Sequence, residues 1–337
     1  MKQNLHTHTL YCDGQNTIPE IIRAALIKDF GVLGFSGHSF TYYDKSYCMA
    51  EEGTDEYIDE VLAAKRLFAR DPEAAARHYG ADASLQASKE GLRVFLGLEQ
   101  DLYSDKPALR REHGLLNPGY PGGVYDYLIG SVHAFRLTWA ELQWMGTVIR
   151  PLREPDLNGV VFSDDGAYIY VDYGLDALNW ALENVFGGDP LALAAAYFED
   201  EGRIVCDTDC DIVGHFDLLL KFNERERIFD EDSPRYKAVR DRALERIFSD
   251  FRAWGRRPLF EVNTGAMAKG YRTEPYPSKD SLSLIRDMGG SLIINSDCHQ
   301  ADKLDYAFDE AVKYVTEAGF RPSSIEIPGR GELRIYE

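Results

Sequence analysis

Short apolar runs alternate with amphipathic stretches along most of the chain. Apolar residues recur at helical spacing in five stretches, which predicts helices in IPEIIRAALIKDF, DEYIDEVLAAKRLFAR, RYKAVRDRALERIFSDFRAW, SKDSLSLIRDMG and KLDYAFDEAVKYVTEAGF. Runs rich in β-branched and aromatic residues predict strands in NLHTH, VLGFSGH, RVFLGLEQD, YDYLIGSVHAF, DIVGHFDLL, PLFEVNT and GSLIINSDCH. Strands that alternate with helices indicate a parallel sheet, and seven of them fit a closed α/β barrel better than an open sheet.

Two stretches interrupt this alternation, at about residues 101–125 and 136–205, and we interpret both as insertions. In the second, a hairpin is predicted from Ser163 to Asp172 around DDGAY, and helices are predicted in LDALNWALENVF and DPLALAAAYFEDE. The sequence contains no internal repeat and no low-complexity linker. We therefore predict a single domain over residues 1–337.

Composition narrows the range of partners. The 337 residues are 45% hydrophobic and 28% charged, which is normal for a globular domain. Acidic residues outnumber basic ones 56 to 37, giving a net charge of −19 that disfavours nucleic acid and anionic membranes. A small phosphorylated substrate stays compatible, because bound metal ions can reverse the local potential.

We expect a cytoplasmic protein. The N-terminus lacks the charged-then-apolar pattern of a leader, and no apolar run approaches the roughly 18 residues that cross a bilayer. Five scattered cysteines favour reduced thiols in a reducing compartment. They are Cys12, Cys48, Cys206, Cys210 and Cys298.

Six of the eight histidines stand where a predicted strand ends: His6, His8, His38, His133, His215 and His299. Two acids occupy similar places, since Glu99 closes VFLGLE and Asp297 lies two residues before His299. The carboxyl ends of barrel strands meet at one rim, and imidazole and carboxylate ligands suit zinc, iron or manganese. Alternate residues of a strand point to the same side, so His6 and His8 can share an ion.

Each position also has an ordinary explanation. A lone histidine at a strand end is commonly a hydrogen-bonded core or rim residue, and Glu99 could be a helix cap or ion-pair partner. Asp13, followed by glycine, could belong to a turn. The coincidence at six strand ends favours a metal site nonetheless. His78 and His113 lie in a helical or insertion context, and we expect neither to be a primary ligand.

The motifs HTH, SGH, GLE, SVH, GHFDL and SDCH, in this order, resemble those of the PHP (polymerase and histidinol phosphatase) family. The resemblance covers nearly the whole chain. It implies a distorted, TIM-like (β/α)7 barrel with three metal ions, zinc, iron or manganese, at one rim. Carried over position by position, it implies one ion on His6, His8, Glu99 and Asp297, a second on Glu99, His133 and His215, and a third on Asp13, His38 and His299. Some PHP proteins have a histidine at the position of Asp13.

Within that family, GHFDLLLKFN, FEVNTGAMAKGYRTEPYPS and NSDCH look most like histidinol-phosphate phosphatases. The implied reaction is hydrolysis of L-histidinol phosphate to L-histidinol and phosphate, in histidine biosynthesis. A hydroxide between two ions would attack phosphorus. Glu99, Asp297 and His215 would position it.

Four basic residues are candidates for holding the phosphate oxygens: Lys269, Arg272, Lys221 and Arg136. Relatives often carry a further basic residue where this chain has Leu220. Lys269 and Arg272 could equally belong to a solvated surface loop. Cys12 and Cys298 are not expected to be ligands, because strand neighbours point to opposite sides.

Two other functions stay open on the sequence. The same site could act on another small phosphate ester, a nucleotide or a nucleic-acid end, although the charge and the lack of a basic, aromatic-interleaved tract oppose nucleic acid. Alternatively, the chain could be a metal-binding barrel without catalysis, which the complete set of apparent ligands opposes.

Overall fold

The computed structural model describes residues 2–80, 91–104, 124–144, 159–327 and 331–337. Most of the predicted insertion at 101–125, part of the one at 136–205, and His113 lie outside these residues.

Twelve strands are present in the described ranges, most of them short. They are β1 (Lys2–Asn4), β2 (Phe30–Phe35), β3 (Arg93–Asp101), β4 (Tyr127–Ser131), β5 (Ala134–Thr138), β6 (Val160–Ser163), β7 (Gly166–Tyr170), β8 (Ile212–Val213), β9 (Leu259–Asn263), β10 (Ser291–Asn295), β11 (Pro322–Ile327) and β12 (Gly331–Tyr336).

Nine of these strands form one sheet in the order β1-β2-β3-β4-β8-β9-β10-β12-β11. Neighbours from β1 to β10 pair in parallel, and the β11–β12 hairpin joins β10 in antiparallel fashion. A parallel bridge from Thr7 to Cys298 brings the end of β1 back to the end of β10. The fold is thus a mixed α/β fold around a curled sheet.

The C-terminal hairpin, which the sequence did not predict, contacts β1 through a side chain. Gln3 donates from its side-chain amide to the carbonyl of Arg334 at 2.6 Å and accepts from the backbone amide of Arg334 at 2.7 Å. These two bonds stand in place of regular strand pairing between β12 and β1.

The helices of the described residues lie mainly between successive strands. They are α1 (Ile18–Ile27), α2 (Glu51–Arg70), α3 (Pro72–His78), α4 (Trp139–Trp144), α5 (Leu175–Asn184), α6 (Pro190–Glu201), α7 (Ile204–Thr208), α8 (Asn223–Glu226), α9 (Pro234–Ala253), α10 (Gly265–Ala268), α11 (Lys279–Asp287) and α12 (Phe308–Glu317), with 3-10 turns at Leu218–Phe222 and Ala301–Lys303. All five helices predicted outside the insertions are present. None of the described helices has both the length and the apolar character needed to cross a membrane.

Local sequence explains how α1 begins. Thr17 caps it by accepting from the amide of Glu20, whose carboxylate accepts in return from the amide of Thr17 at 2.8 Å, a capping box. Its apolar face is buried, as the spacing predicts: Ile18, Ile21, Ile22, Ala25 and Leu26.

The core has two layers. One packs the outer face of the sheet against the helices. The other fills the inside of the curl with side chains from successive strands, among them Leu5, Val32, Phe95, Tyr127 and Ile293. With its interior filled in this way, the sheet leaves the carboxyl ends of its strands as the place where polar side chains can gather.

The described part of the second insertion forms its own sheet, in the order β5-β7-β6. The predicted hairpin is confirmed as β6 and β7, and the two predicted helices are confirmed as α5 and α6.

Three strand predictions need correction. NLHTH shares only Asn4 with β1, so His6 and His8 follow the strand instead of lying on it. YDYLIGSVHAF is not one strand, because the chain leaves the main sheet after Ser131 and enters the small sheet at Ala134. DIVGHFDLL contributes only the two residues of β8, since the amide of Leu218 bonds back to the carbonyl of His215 and starts a 3-10 turn.

Candidate metal centre

Glu99 lies at the centre of the site. It stands near the end of β3, is 1% exposed, and accepts a hydrogen bond from Ser131 Oγ at 2.7 Å. Five imidazoles surround its carboxylate. Oε2 lies 3.2 Å from His6 Nε2, 3.5 Å from His8 Nε2 and 3.0 Å from His38 Nδ1, and Oε1 lies 3.5 Å from His133 Nε2 and 3.0 Å from His215 Nε2. The two oxygens therefore face two different sets of histidines.

A second carboxylate, Asp13, faces three of the histidines from the turn after β1. Its oxygens lie 3.4 Å from His8 Nδ1, 3.7 Å from His38 Nε2 and 3.0 Å from His299 Nε2. The rings of His8 and His299 stack with their centroids 4.2 Å apart. Asp13 therefore lies next to His38 and His299, the two residues with which the resemblance implied that it shares an ion.

Asp297 completes the rim from the loop after β10. Its Oδ1 lies 3.1 Å from His8 Nε2 and 3.7 Å from both His6 Nε2 and His299 Nδ1. The backbone of Asp297 has a φ of 49°, in the left-handed region, which aspartate tolerates better than most residues. Gly265 makes room for this carboxylate, because a Cβ there would lie 2.9 Å from Asp297 Oδ2.

The donor set fits metal ions. Donor atoms about 2.1 Å from a tetrahedral ion lie about 3.4 Å from one another, close to the separations seen here. Four of the atoms that the histidines and Glu99 direct at one another are buried without a hydrogen-bond partner: His6 Nε2, His8 Nε2, His38 Nδ1 and Glu99 Oε2. Buried polar atoms are rarely left unpartnered in a stable protein. Ligating cations would satisfy all four at once.

Among the described residues, the donor atoms form three groups, and the atoms within each group all lie within 4.8 Å of one another. They are His8, Asp13, His38 and His299; His6, His8 and Glu99; and His38, Glu99 and His133. These resemble the three sets that the family resemblance implied, with three differences. His8 and His38 each contribute to two groups through their two nitrogens. His215 belongs to none of the three, although it contacts Glu99. Asp297 also belongs to none of them, although its Oδ1 lies 3.1 Å from His8 Nε2.

The electrostatic field of the site suits cations. Burial alone would raise the pKa of Glu99, but the charges of His38 and His6 keep it well below its usual value, so the carboxylate stays ionised. Burial and the neighbouring His299 and His38 lower the pKa of His8 to about 4, which keeps this imidazole neutral and able to ligate. Burial opposes the charge on His6, yet Glu261, Glu99 and Asp297 raise its pKa well above the usual value.

Sequence reasoning assigned no role to two acids that lie against the histidines. Asp101 Oδ1 lies 2.5 Å from His133 Nδ1, and Glu261 Oε1 lies 2.7 Å from His6 Nδ1. Asp101 was detectable, because it stands two residues after Glu99 and so on the same side of β3. Glu261 was detectable as an acid inside the apolar strand PLFEVNT.

The other residues named from sequence lie as follows. His78 is exposed on α3 and belongs to none of the three groups. Cys12 Sγ lies 3.5 Å from His8 Nδ1, and burial raises the pKa of its thiol. Burial also raises the pKa of Cys298, to about 12. Neutral thiols are poor ligands, so both cysteines stay predicted non-ligands.

An open cavity of about 190 Å³ lies over the histidines. Two of the four predicted phosphate-binding residues line it, Lys221 and Lys269. Lys221 is 7% exposed and donates to the carbonyl of Asp172 at 2.6 Å. Tyrosine side chains form part of the wall, namely Tyr47, Tyr170, Tyr173 and Tyr276.

The other two predicted residues, Arg272 and Arg136, do not line this cavity. Arg272 is 8% exposed, donates to the carbonyl of Leu220 at 2.9 Å and lies over the ring of Tyr276. Arg136 pairs with Asp165 at 3.0 Å within the small sheet. Their placement does not support a direct phosphate contact, because neither guanidinium group lines the cavity over the histidines.

Comparison with known proteins gives a consistent result. The family model described as "PHP domain" matches residues 4–263. A "Probable histidinol-phosphatase" of Schizosaccharomyces pombe is 25% identical over 93% of this chain and 86% of its own length. A protein of the same description from Deinococcus radiodurans is 25% identical over 94% of this chain and 93% of its own.

A solved structure shares the fold. It is histidinol phosphate phosphatase from Lactococcus lactis, complexed with zinc, L-histidinol and phosphate. It is 14% identical, covers 98% of this chain and 98% of its own, and has a TM-score of 0.56.

Proposed function

The chain belongs to the PHP domain family, and from this membership we propose that it is a metal-dependent phosphomonoester hydrolase acting on L-histidinol phosphate. The products are L-histidinol and inorganic phosphate. The two histidinol-phosphatase relatives, each matched over most of both chains, support this choice of substrate.

The observation that carries the proposal is the position of Glu99. Its two oxygens face different histidines, His38 and His6 on one side and His215 and His133 on the other. A carboxylate arranged in this way can bridge two ions. We assign three ions of zinc, iron or manganese to the site, with the nine ligands His6, His8, Asp13, His38, Glu99, His133, His215, Asp297 and His299.

Bound ions of this kind lower the pKa of water and neutralise the charge of a phosphate ester. Glu99, Asp297 and His215 hold the ligand geometry. Lys221 and Lys269 supply cationic N–H donors from the cavity wall to phosphate oxygens that face away from the ions. The burial of Lys221 reduces screening by water and strengthens its attraction to a phosphate dianion.

The finer description of the fold is also a proposal. We assign the chain a single domain built on a distorted (β/α)7 barrel. Seven successive parallel strands and the Thr7–Cys298 bridge support the closed form. A cytoplasmic location in a histidine biosynthetic pathway agrees with this activity.

The test is phosphate release by purified protein loaded separately with zinc, iron or manganese. Substrates are L-histidinol phosphate, a nucleoside monophosphate, p-nitrophenyl phosphate and single-stranded DNA. His8→Ala and Glu99→Gln are expected to lose activity, while His78→Ala serves as a matched control. Metal-dependent activity greatest on L-histidinol phosphate is the predicted result. Activity confined to the other esters would overturn the substrate, and no activity with any metal would overturn the enzyme.

A further inference from the structure

Glu261 lies beneath the histidines and contacts several elements of the site. It stands on β9, is fully buried, and has four nitrogen partners. Oε1 lies 2.7 Å from His6 Nδ1 and accepts from Asn295 Nδ2 at 3.0 Å, while Oε2 accepts from the amide of His215 at 3.1 Å and from Asn263 Nδ2 at 2.8 Å.

These partners require a carboxylate. The backbone amide of His215 and the side-chain amides of Asn295 and Asn263 are donors, and two of them reach Oε2 while one reaches Oε1. An ionised carboxylate has acceptor positions for all of them and for a fourth N–H. A glutamine at this position would place an NH2 group where one of the two oxygens stands. That donor would face at least one of these N–H groups, which would then lose its acceptor.

The charge state of Glu261 decides the tautomer of His6. With no proton of its own, Glu261 can only accept from His6 Nδ1. In the neutral ring, the form that can ligate, the other nitrogen, Nε2, then carries the lone pair, and it is the atom that faces Glu99 and Asp297 without a hydrogen-bond partner. A histidine bound to a metal usually donates its second N–H to such an acceptor.

Glu261 also reaches other parts of the rim. It holds the backbone of His215, and Asn263, which it anchors, donates from Nδ2 to Asp297 Oδ2 at 3.2 Å. One side chain thereby connects residues that follow β1, β8 and β10. A shift of Glu261 would displace three proposed ligands together.

We propose that Glu261 is a positioning residue for the metal centre, holding His6 with its proton on Nδ1 and its Nε2 directed at the ions. The proposal rests on the metal sites of the proposed function but not on its substrate. Its test uses metal binding, so failure of the substrate assignment leaves it unaffected.

The experiment compares Glu261→Gln with Glu261→Asp and with a matched control, Glu201→Gln. Glu201 is fully buried like Glu261, but it bonds to Tyr197 at 2.7 Å instead of to a histidine of the site. Competition with a chromophoric chelator measures zinc affinity, and elemental analysis measures the zinc-to-protein ratio. Thermal unfolding of the metal-free proteins checks that each variant folds.

Removing an outer carboxylate partner typically costs roughly 10- to 100-fold in metal affinity. We expect Glu261→Gln to lose affinity in this range, Glu261→Asp to lose less because it keeps an acceptor, and Glu201→Gln to match the unmodified protein. Folded Glu261→Gln that binds zinc within about twofold of the unmodified protein would overturn the proposal.

If Glu261→Gln does not fold, nitrogen-15 NMR of the unmodified, zinc-loaded protein tests the proposal by showing which ring nitrogen of His6 carries the proton. His6→Asn identifies the signals of this ring by their loss. The proposal predicts a proton on Nδ1 and a metal-shifted Nε2. A proton on Nε2 would overturn it.

Discussion

His299 Nε2 lies 3.0 Å from Asp13 Oδ2, although 286 residues separate the two. The contact joins the turn after β1 to the loop after β10, beside the Thr7–Cys298 bridge that brings the ends of these strands together. His8 and His38 face the same carboxylate. Asp13 is therefore placed to share an ion with these three histidines, even though it lies in the turn well beyond the end of β1.

Replacing Asp13 tests this assignment. Asp13→Asn keeps the size but removes the charge, and loss of a direct ligand is expected to cost more than the roughly 10- to 100-fold that outer partners cost. Asp13→His supplies another ligand nitrogen and is expected to retain more metal. Elemental analysis after dialysis against a weak chelator measures the difference. Equal metal content in Asp13→Asn and the unmodified protein would show that Asp13 is not a ligand.

The second prediction is that the stability of the metal-free protein depends on pH because of His133. Burial lowers its pKa, but Asp101 and Glu99 outweigh burial and raise the pKa from 6.5 to about 9. The charged imidazole therefore stabilises the fold fully below pH 6.5, and this contribution is lost as the pH rises through 9. Thermal unfolding of chelator-treated protein should show a falling Tm across this window. His133→Asn should reduce the slope, and an unchanged slope would contradict the assigned partners.

A third prediction concerns Lys221 and Arg272, two of the basic residues named from sequence, which are expected to have different roles. Lys221 lines the cavity and Arg272 does not. Lys221→Met is expected to raise the KM for L-histidinol phosphate by tenfold or more, because it removes a charge-assisted contact worth roughly 1.5–3 kcal/mol. Arg272→Met leaves the carbonyl of Leu220 without this donor and should lower stability instead.

Steady-state kinetics and chemical denaturation check this pair of variants. Arg272→Met should unfold at a lower denaturant concentration while the folded fraction keeps its KM. The opposite pattern, a raised KM in Arg272→Met with Lys221→Met unaffected, would mean that the phosphate lies elsewhere.

Much of the proposed site follows from the sequence pattern. Eight of the nine proposed ligands lie at or shortly after the end of a predicted strand, and the ninth, Asp13, lies in the turn after β1. Parallel strands bring such ends together whatever their separation along the chain. The resemblance to PHP motifs then supplied Asp13, which its turn context alone could not.

Other features depend on tertiary contacts that local patterns do not encode. The β11–β12 hairpin is held to β1 by the side chain of Gln3, and nothing in its own sequence specifies that partner. Arg272 looks from sequence like a free loop cation, yet the fold buries it against Tyr276. Glu261 and Asp101 are noticeable in sequence as acids on apolar strands, but the histidines they contact follow other strands, so their partners are known only from the assembled structure.

Replacing Gly97 by alanine tests how tightly the core is packed beneath the site. Gly97 lies two residues before Glu99, and a Cβ there would overlap the buried ring of Tyr127. Gly97→Ala should destabilise the protein by about 1–3 kcal/mol through overpacking. Gly53→Ala is the control, because helix α2 leaves ordinary contact distance there and alanine favours a helix by roughly 0.5–1 kcal/mol. Equal unfolding free energies for the two variants would contradict this account of the core.

In the proposed function Glu99 bridges ions which bind the phosphate of the substrate. A crystal structure of metal-loaded protein with phosphate, with anomalous scattering recorded at the metal edge, shows whether it does. We expect an anomalous peak at bonding distance from each oxygen of Glu99, a further peak between Asp13 and His299, and phosphate in contact with the ions and Lys221. Bound phosphate with no metal peak beside Glu99 would mean that the proposed role of Glu99 is wrong.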